Sequence, residues 1–193
     1  MNLDRKYWDS RYAEQNTGWD LGQPSPALCA FMDPITDTHV SVLIPGCGNA
    51  HEAAYLHAKG FDQVHLLDIS PLPLKQFMQR IPDFPKEHIH CDDFFQHLGS
   101  YDFILEQTFF CALDPSLRVR YAQHMKQLLK PGGKLAGLLF ATRFDTPGPP
   151  FGGDEAEYRN LFAPVFPSVL LEPCTASIPA RSGRELWMEC QRD

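Results

Sequence analysis

From Val40 onward the chain alternates short apolar runs with stretches of helical spacing, separated by glycine, proline and acidic breaks. Val40–Ile44, Gln63–Leu67, His88–Cys91, Tyr101–Leu105, Lys134–Ala141 and Ser168–Leu171 read as strands. Helices are predicted over Glu52–Lys59, Pro71–Arg80, a segment capped by Asp114 and Pro115 that runs to Leu129, and Asp154–Leu161. Repetition of strand, turn and helix is the signature of a parallel sheet covered on both faces. Arg181–Cys190 instead alternates Leu186, Met188 and Cys190 with other residues, which predicts an antiparallel seventh strand.

Upstream of this repeat, Leu3, Tyr7, Trp8 and Tyr12 share one face of a predicted helix over Leu3–Gln15. The glycines and prolines of Thr17–Pro26 forbid regular structure and hold Trp19 and Leu21 in an extended segment. Ser25 and Pro26 then supply an N-cap and first turn for a helix through Met32. The expectation is one domain over 1–193, with an N-terminal helical lid segment (1–35) and an α/β core (36–193).

A net charge of −7 and a pI near 5.6 argue against a nucleic-acid partner, which would need a basic face to neutralise phosphates. A small-molecule substrate fits better. Residues 1–10 mix charge with aromatics and the longest apolar run falls far short of about 20 residues, so neither signal peptide nor membrane span is expected. The expectation is a cytoplasmic protein, a monomer or weak homodimer. Six cysteines lie far apart without a C-x-x-C pair and read as reduced core thiols. His88 and His90 would share a strand face without a carboxylate or cysteine partner nearby in sequence, so no metal site is expected.

The chemistry centres on Val42–Glu52, where a strand breaks into the turn Pro45-Gly46-Cys47-Gly48 and then a helix. Two glycines let the backbone approach a ligand where a β-carbon would collide, and the helix start offers free N–H groups. Roughly 20 residues further on, Asp68 closes the second strand, where a ribose meets a carboxylate in open α/β sheets. Asp92 and Asp93 follow the third strand. The three features converge on one sheet edge and describe an adenosine site. Dinucleotides and S-adenosylmethionine both remain open at this point, and the expected hairpin of the last two strands favours the second.

Tyr7-Trp8-Asp9-Ser10-Arg11-Tyr12, Trp19-Asp20-Leu21-Gly22-Gln23-Pro24 and Ile44-Pro45-Gly46-Cys47-Gly48 resemble the thiopurine S-methyltransferase superfamily over nearly the whole chain. Within it, Thr108–Leu113, Gly148–Phe151 and Ile178–Glu185 are similar to the plant-type halide and thiol methyltransferases. The resemblance implies a Rossmann-like class I methyltransferase with a mostly parallel seven-stranded sheet. It also implies S-adenosylmethionine lying over Gly46 and Gly48, with Asp68 binding the ribose and Asp92 or Asp93 flanking the adenine, and Cys47, Ile69 and Phe94 are expected among the cofactor-binding residues. Trp8, Trp19 and Leu21 would close over the cofactor, and Gln107 and Thr108 would lie beside its methionine portion. Two departures are Ala50, where a third glycine is common, and Phe151, where plant-type members commonly carry tyrosine. Ala50 should cost little inside a helix.

Methyl transfer to an already anionic nucleophile needs desolvation and alignment more than a general base. Trp19, Phe109, Phe110 and Phe151 are the candidate walls of a dry acceptor pocket, with Trp8 and Tyr12 beside them, and no residue is expected to act as a catalytic acid or base. Among Arg143, Arg181 and Arg184, Arg143 ranks first as an anion-attracting group because it directly follows the fifth strand. Cys111 has no histidine paired with it and is not expected to be a nucleophile. The acceptor is expected to be a thiol, hydrosulfide, halide or thiocyanate. Alternatives are a thiopurine, tellurite or selenium acceptor, a domain that binds the cofactor without catalysis, and an NAD-dependent oxidoreductase.

Overall fold

The computed structural model describes residues 2–193. Asp4 starts α1 (Arg5–Ala13) by accepting the Tyr7 N–H on its carboxylate. Before α2 (Pro26–Met32) the expected hydroxyl cap is absent. Ser25 is buried, and its N–H instead donates to the Glu52 carboxylate at 2.9 Å, tying the extended segment to the core.

The core then runs β1 (Val42–Pro45), α3 (His51–Ala58), β2 (Val64–Asp68), α4 (Pro71–Arg80), β3 (Ile89–Cys91), β4 (Tyr101–Gln107), α5 (Arg118–Leu128), β5 (Leu129–Phe140), α6 (Glu155–Phe162), β6 (Ser168–Pro173) and β7 (Glu185–Gln191). These strands form one seven-stranded sheet in the order β3-β2-β1-β4-β5-β7-β6. β1 to β5 pair in parallel, and β7 runs antiparallel to both β5 and β6. Val42, Ile44, Leu66 and Phe77 belong to the core on one face, while Leu43, Ile104, Tyr121 and Phe162 belong to the core on the other. Successive strands move outward from β1 to β3 and then jump back to β4. That reversal opens a crevice beyond the ends of β1 and β4, where Gly46 and Thr108 begin their loops.

Several local expectations are corrected. Asp114 caps a 3-10 turn (Pro115–Leu117) by accepting the Ser116 N–H, so it does not start α5 directly. Strand β5 begins at Leu129, and Lys130–Gly133 form an irregular excursion within it as the register with β4 jumps from Tyr101↔Leu129 to Phe103↔Lys134. Ala50 is not inside α3 but caps it at φ +53°, a left-handed conformation that an L-residue with a β-carbon adopts only at a cost. All six cysteines are free, yet only Cys111 and Cys190 are buried and Cys91 is exposed. No helix among the described residues is long and apolar enough to cross a membrane.

Candidate active site

A cavity of ≈ 870 Å³ opens at this crevice. Pockets for small molecules and cofactors span about 300–1,000 Å³. Trp8, Trp19, Gly46, Asp68, Ile69, Asp92, Asp93, Phe94, Thr108 and Phe109 line it. A narrower recess beside it is lined by Leu21, Cys47, Gly48 and Gln107, and shares Trp19, Gly46 and Thr108 with the main cavity. The thirteen positions named from sequence as cofactor-binding therefore fall on two adjoining hollows.

Gly46 and Gly48 turn the chain at φ +57° and +51°. A β-carbon on Gly46 would run into the ring of Phe109, and one on Gly48 would lie 3.0 Å from the Tyr12 hydroxyl. The glycines thus make room for two of the protein's own aromatics at the cavity floor. Asp68 holds this turn from beneath: its carboxylate accepts the N–H groups of Gly48 and Ser70, both at 2.9 Å. Burial is the largest influence on its carboxyl and pushes it up to about 6, against the lowering effect of those two bonds. Ser70 donates in turn to Asp9 of α1 at 2.6 Å, which fastens the N-terminal helix to the β2 end.

The N-terminal segment covers the crevice. Trp19 meets Trp8 and Tyr12 edge-on, with ring centroids 5.6 and 5.7 Å apart. Asp20 accepts from Asn49 and Gly22 and pairs with His51 at 2.8 Å, so the segment is anchored at the start of α3. Both side-chain polar atoms of Gln107 are buried without a hydrogen-bond partner. An amide left so, at a strand end beside the glycine turn, suits a ligand carrying both a donor and an acceptor.

Asp92 and Asp93 follow β3. Asp93 accepts the Phe95 N–H and caps the 3-10 turn that presents Phe94, whose ring meets Phe109 edge-on at 5.0 Å. Thr108 sits at φ +60°, a strained state for a β-branched residue, with its hydroxyl donating to the Gln107 carbonyl at 2.7 Å.

Three positioning candidates are placed elsewhere. Phe110 is 1% exposed and packs in the core against Tyr121 and Tyr158. Phe151 is absent from the cavity wall, its N–H donating to Cys111, whereas the neighbouring Pro149 and Pro150 do line it. Arg143 points to solvent, 81% exposed, and pairs with Asp154 at 3.4 Å. Arg181 and Arg184 line the cavity instead. Arg181 is buried at 9% exposure, over the Phe140 ring at 5.3 Å, and donates to the Trp19 carbonyl. Phe140 and Phe144 also line this end and were not singled out from sequence. Their place at the end of β5 was the available signal.

The residues present fit S-adenosylmethionine: a buried acid for a ribose, an unpartnered amide beside the glycine turn, and aromatic cover for a sulfonium. Comparison with known proteins gives the same answer. The family model described as Thiopurine S-methyltransferase (TPMT) matches residues 3–185. Thiocyanate methyltransferase 1 of Arabidopsis thaliana is 30% identical over 92% of this chain and 81% of its own. A thiopurine S-methyltransferase of Vibrio cholerae is 28% identical over 82% of this chain and 81% of its own. Among solved structures, the magnesium protoporphyrin IX methyltransferase of Synechocystis PCC 6803 with bound SAM superposes at a TM-score of 0.75, with 16% identity, over 98% of this chain and 95% of that one. The chain belongs to the thiopurine S-methyltransferase family and is a S-adenosylmethionine-dependent methyltransferase.

Proposed function

We propose that the acceptor is a small anionic nucleophile, such as a thiolate, hydrosulfide, thiocyanate or halide, methylated by a single in-line displacement. The observation that carries this reading is the position of Arg181 and Arg184. They precede β7, whereas Asp68 closes β2, four strand spacings away in the sheet order and thus roughly 19 Å across it. One end of the cavity holds Asp68, Asp92 and Asp93 and suits an adenosine. The other carries Arg184, over the Phe144 ring at 5.4 Å, and Arg181, which shares its charge with Glu185 at 3.4 Å, and suits an anion in aromatic surroundings.

In this reading Asp68 accepts from the ribose, the Gln107 amide meets the amino-acid portion, and Asp92, Asp93 and Phe94 flank the base. Trp8, Trp19 and Leu21, in the Asn2–Gln23 stretch that lines the two hollows, exclude water, while α2 packs into the core. S-adenosylmethionine supplies an electrophilic methyl group on a sulfonium. The acceptor's lone pair forms the bond to the methyl carbon while the old carbon–sulfur pair stays on sulfur. No proton has to move, so orientation and desolvation supply the rate and no general base is needed. The relatives named as thiol and thiocyanate methyltransferases support this acceptor class.

Incubation with labelled S-adenosylmethionine and a panel of hydrosulfide, thiocyanate, iodide, tellurite and thiopurine tests it. Fastest turnover on hydrosulfide, thiocyanate or iodide is expected. Turnover confined to thiopurine or tellurite, or binding without turnover on the whole panel, would sink this acceptor assignment.

A further inference from the structure

Glu106 lies near the end of β4, is wholly buried and lines neither hollow, so the reaction as derived above does not use it. One carboxylate oxygen accepts the N–H groups of both Phe109 and Phe110 at 2.9 Å, and the other accepts the Tyr121 hydroxyl at 2.7 Å. Burial raises its carboxyl to about 7 against the pull of these three bonds. Between Glu106 and its two N–H partners the chain must pass through Thr108 at φ +60°, a conformation with an intrinsic cost of about 1–3 kcal/mol. Those two bonds hold it there.

Glycines clear both ends of this arrangement. Gly137 pairs with Glu106 across β4 and β5, and a β-carbon on it would collide with the Glu106 side-chain stem. At the far end Phe109 lies over Gly46, where the glycine turn also has room only for a hydrogen. Gly137, Glu106, Phe109 and Gly46 therefore form one packed chain from the sheet interior to the joint between the two hollows.

We propose that Glu106 is a positioning residue that fixes Phe109 over Gly46 and thereby sets the shape of the cofactor cavity at that joint. The proposal rests on the methyltransferase assignment but concerns this chain's own geometry. A buried acid that served stability alone would alter the folded fraction and leave the affinity of folded molecules unchanged.

The test is a double-mutant cycle read by calorimetric binding of S-adenosylhomocysteine, with circular dichroism to establish folding. Phe109→Ala and Glu106→Ala are each expected to weaken binding about tenfold, or ~1.4 kcal/mol. The double variant should bind no more weakly than Phe109→Ala alone, because Glu106 acts through that ring. Glu106→Gln should stay within about twofold of the parent, since its amide carbonyl still accepts both N–H groups. If Glu106→Ala does not fold, Glu106→Met, which keeps the volume without the acceptor, takes its place in the cycle. A folded Glu106→Ala or Glu106→Met variant with unchanged affinity, a Phe109→Ala variant that binds like the parent, or effects that multiply in the double variant would overturn the proposal. Failure of the unmodified protein to bind S-adenosylhomocysteine would count against the cofactor assignment instead.

Discussion

The guanidinium of Arg181 donates to the backbone carbonyl of Trp19 at 2.8 Å, across 162 positions of sequence. This contact joins the cover of the cavity to the wall that precedes β7, and Glu185 steadies the same guanidinium at 3.4 Å. A hydrogen bond from a charged group in a buried setting contributes about 1.5–3 kcal/mol. Arg181→Ala should therefore release the Trp19 segment while Asp20 still holds its other end at Asn49 and His51. The expected outcome is an S-adenosylhomocysteine dissociation rate raised about tenfold, equivalent to ~1.4 kcal/mol, and faster proteolytic cleavage between residues 14 and 24. Stopped-flow release and limited proteolysis measure the two effects. An unchanged release rate would show that the contact does not hold the cover.

Asp68 holds the glycine turn, and in the proposed function it also accepts from the ribose. Its oxygens already accept Gly48 and Ser70 N–H groups, so its removal should lower the melting temperature as well as cofactor affinity. Asp68→Asn keeps one acceptor oxygen and should lose less thermal stability than Asp68→Ala, with both binding S-adenosylhomocysteine at least about tenfold more weakly, ~1.4 kcal/mol. Binding should also depend on pH. The carboxyl is raised to about 6, and its ionised form is the better acceptor for ribose hydroxyls, so affinity should rise as pH increases through 6. Calorimetry from pH 5 to pH 8 reads this directly, and the same slope persisting in Asp68→Asn would assign it to another group.

The parallel core was legible because each strand is a short apolar run closed by a turn residue, and because the antiparallel last strand carries its own alternation at Leu186, Met188 and Cys190. Asp68 was legible for the same reason: the end of a strand is visible in sequence, and the sheet edge follows from it. Side-chain direction within an irregular turn is not. Phe109 and Phe110 are neighbours, yet one lines the cavity and the other sits in the core, because the 3-10 turn after Phe109 sends them apart. Arg143 ranked above Arg181 on adjacency to β5, but the loop after β5 carries Arg143 outward to Asp154. Only the pairing of β7 with β5 brings Arg181 back toward Trp19. Ala50 and Thr108 illustrate a second limit, since neither residue type announces a positive φ.

The position of Arg143 and Phe151 yields a prediction of no effect. Arg143 is exposed with a single surface ion pair, an interaction worth about 0–1 kcal/mol, and Phe151 does not line the cavity. Arg143→Ala and Phe151→Tyr should each leave kcat/KM for the best acceptor within about twofold, less than ~0.5 kcal/mol in transition-state stabilisation. Steady-state kinetics on the preferred anion decide it. A tenfold loss in either variant would mean that the loop between β5 and α6 closes onto the acceptor during turnover.

Four imidazoles sit together on the β2–β3 side of the sheet, where a 3-10 turn rather than a helix makes the crossover to β4. His65 meets His90 at 3.1 Å between ring nitrogens and lies tilted against His88, with centroids 4.1 Å apart. His90 and His97 lie 4.9 Å apart, and His97 contacts the Tyr101 hydroxyl at 2.8 Å. Facing groups are Tyr101 for His65, and Asp92, His124 and Tyr101 for His97. Burial first, then the neighbouring imidazoles, lower both His65 and His97 from 6.5 to about 4. Between pH 6.5 and 4 the unfolded chain therefore binds more protons at these sites than the folded chain, and their contribution to stability is lost as pH falls through that window. Asp68 and Glu106 work in the opposite sense: their carboxyls are raised to about 6 and about 7, so the folded chain binds the extra protons and acid favours it. The two sets oppose each other, and substitution separates them. Replacing both histidines, as His65→Phe/His97→Phe, should flatten the fall in urea midpoint between pH 7 and pH 5 or reverse it, because the raised carboxyls of Asp68 and Glu106 are then opposed within the cluster by His90, which burial also lowers. A pair variant whose midpoint falls as steeply as that of the parent would show that the imidazole cluster does not govern acid stability.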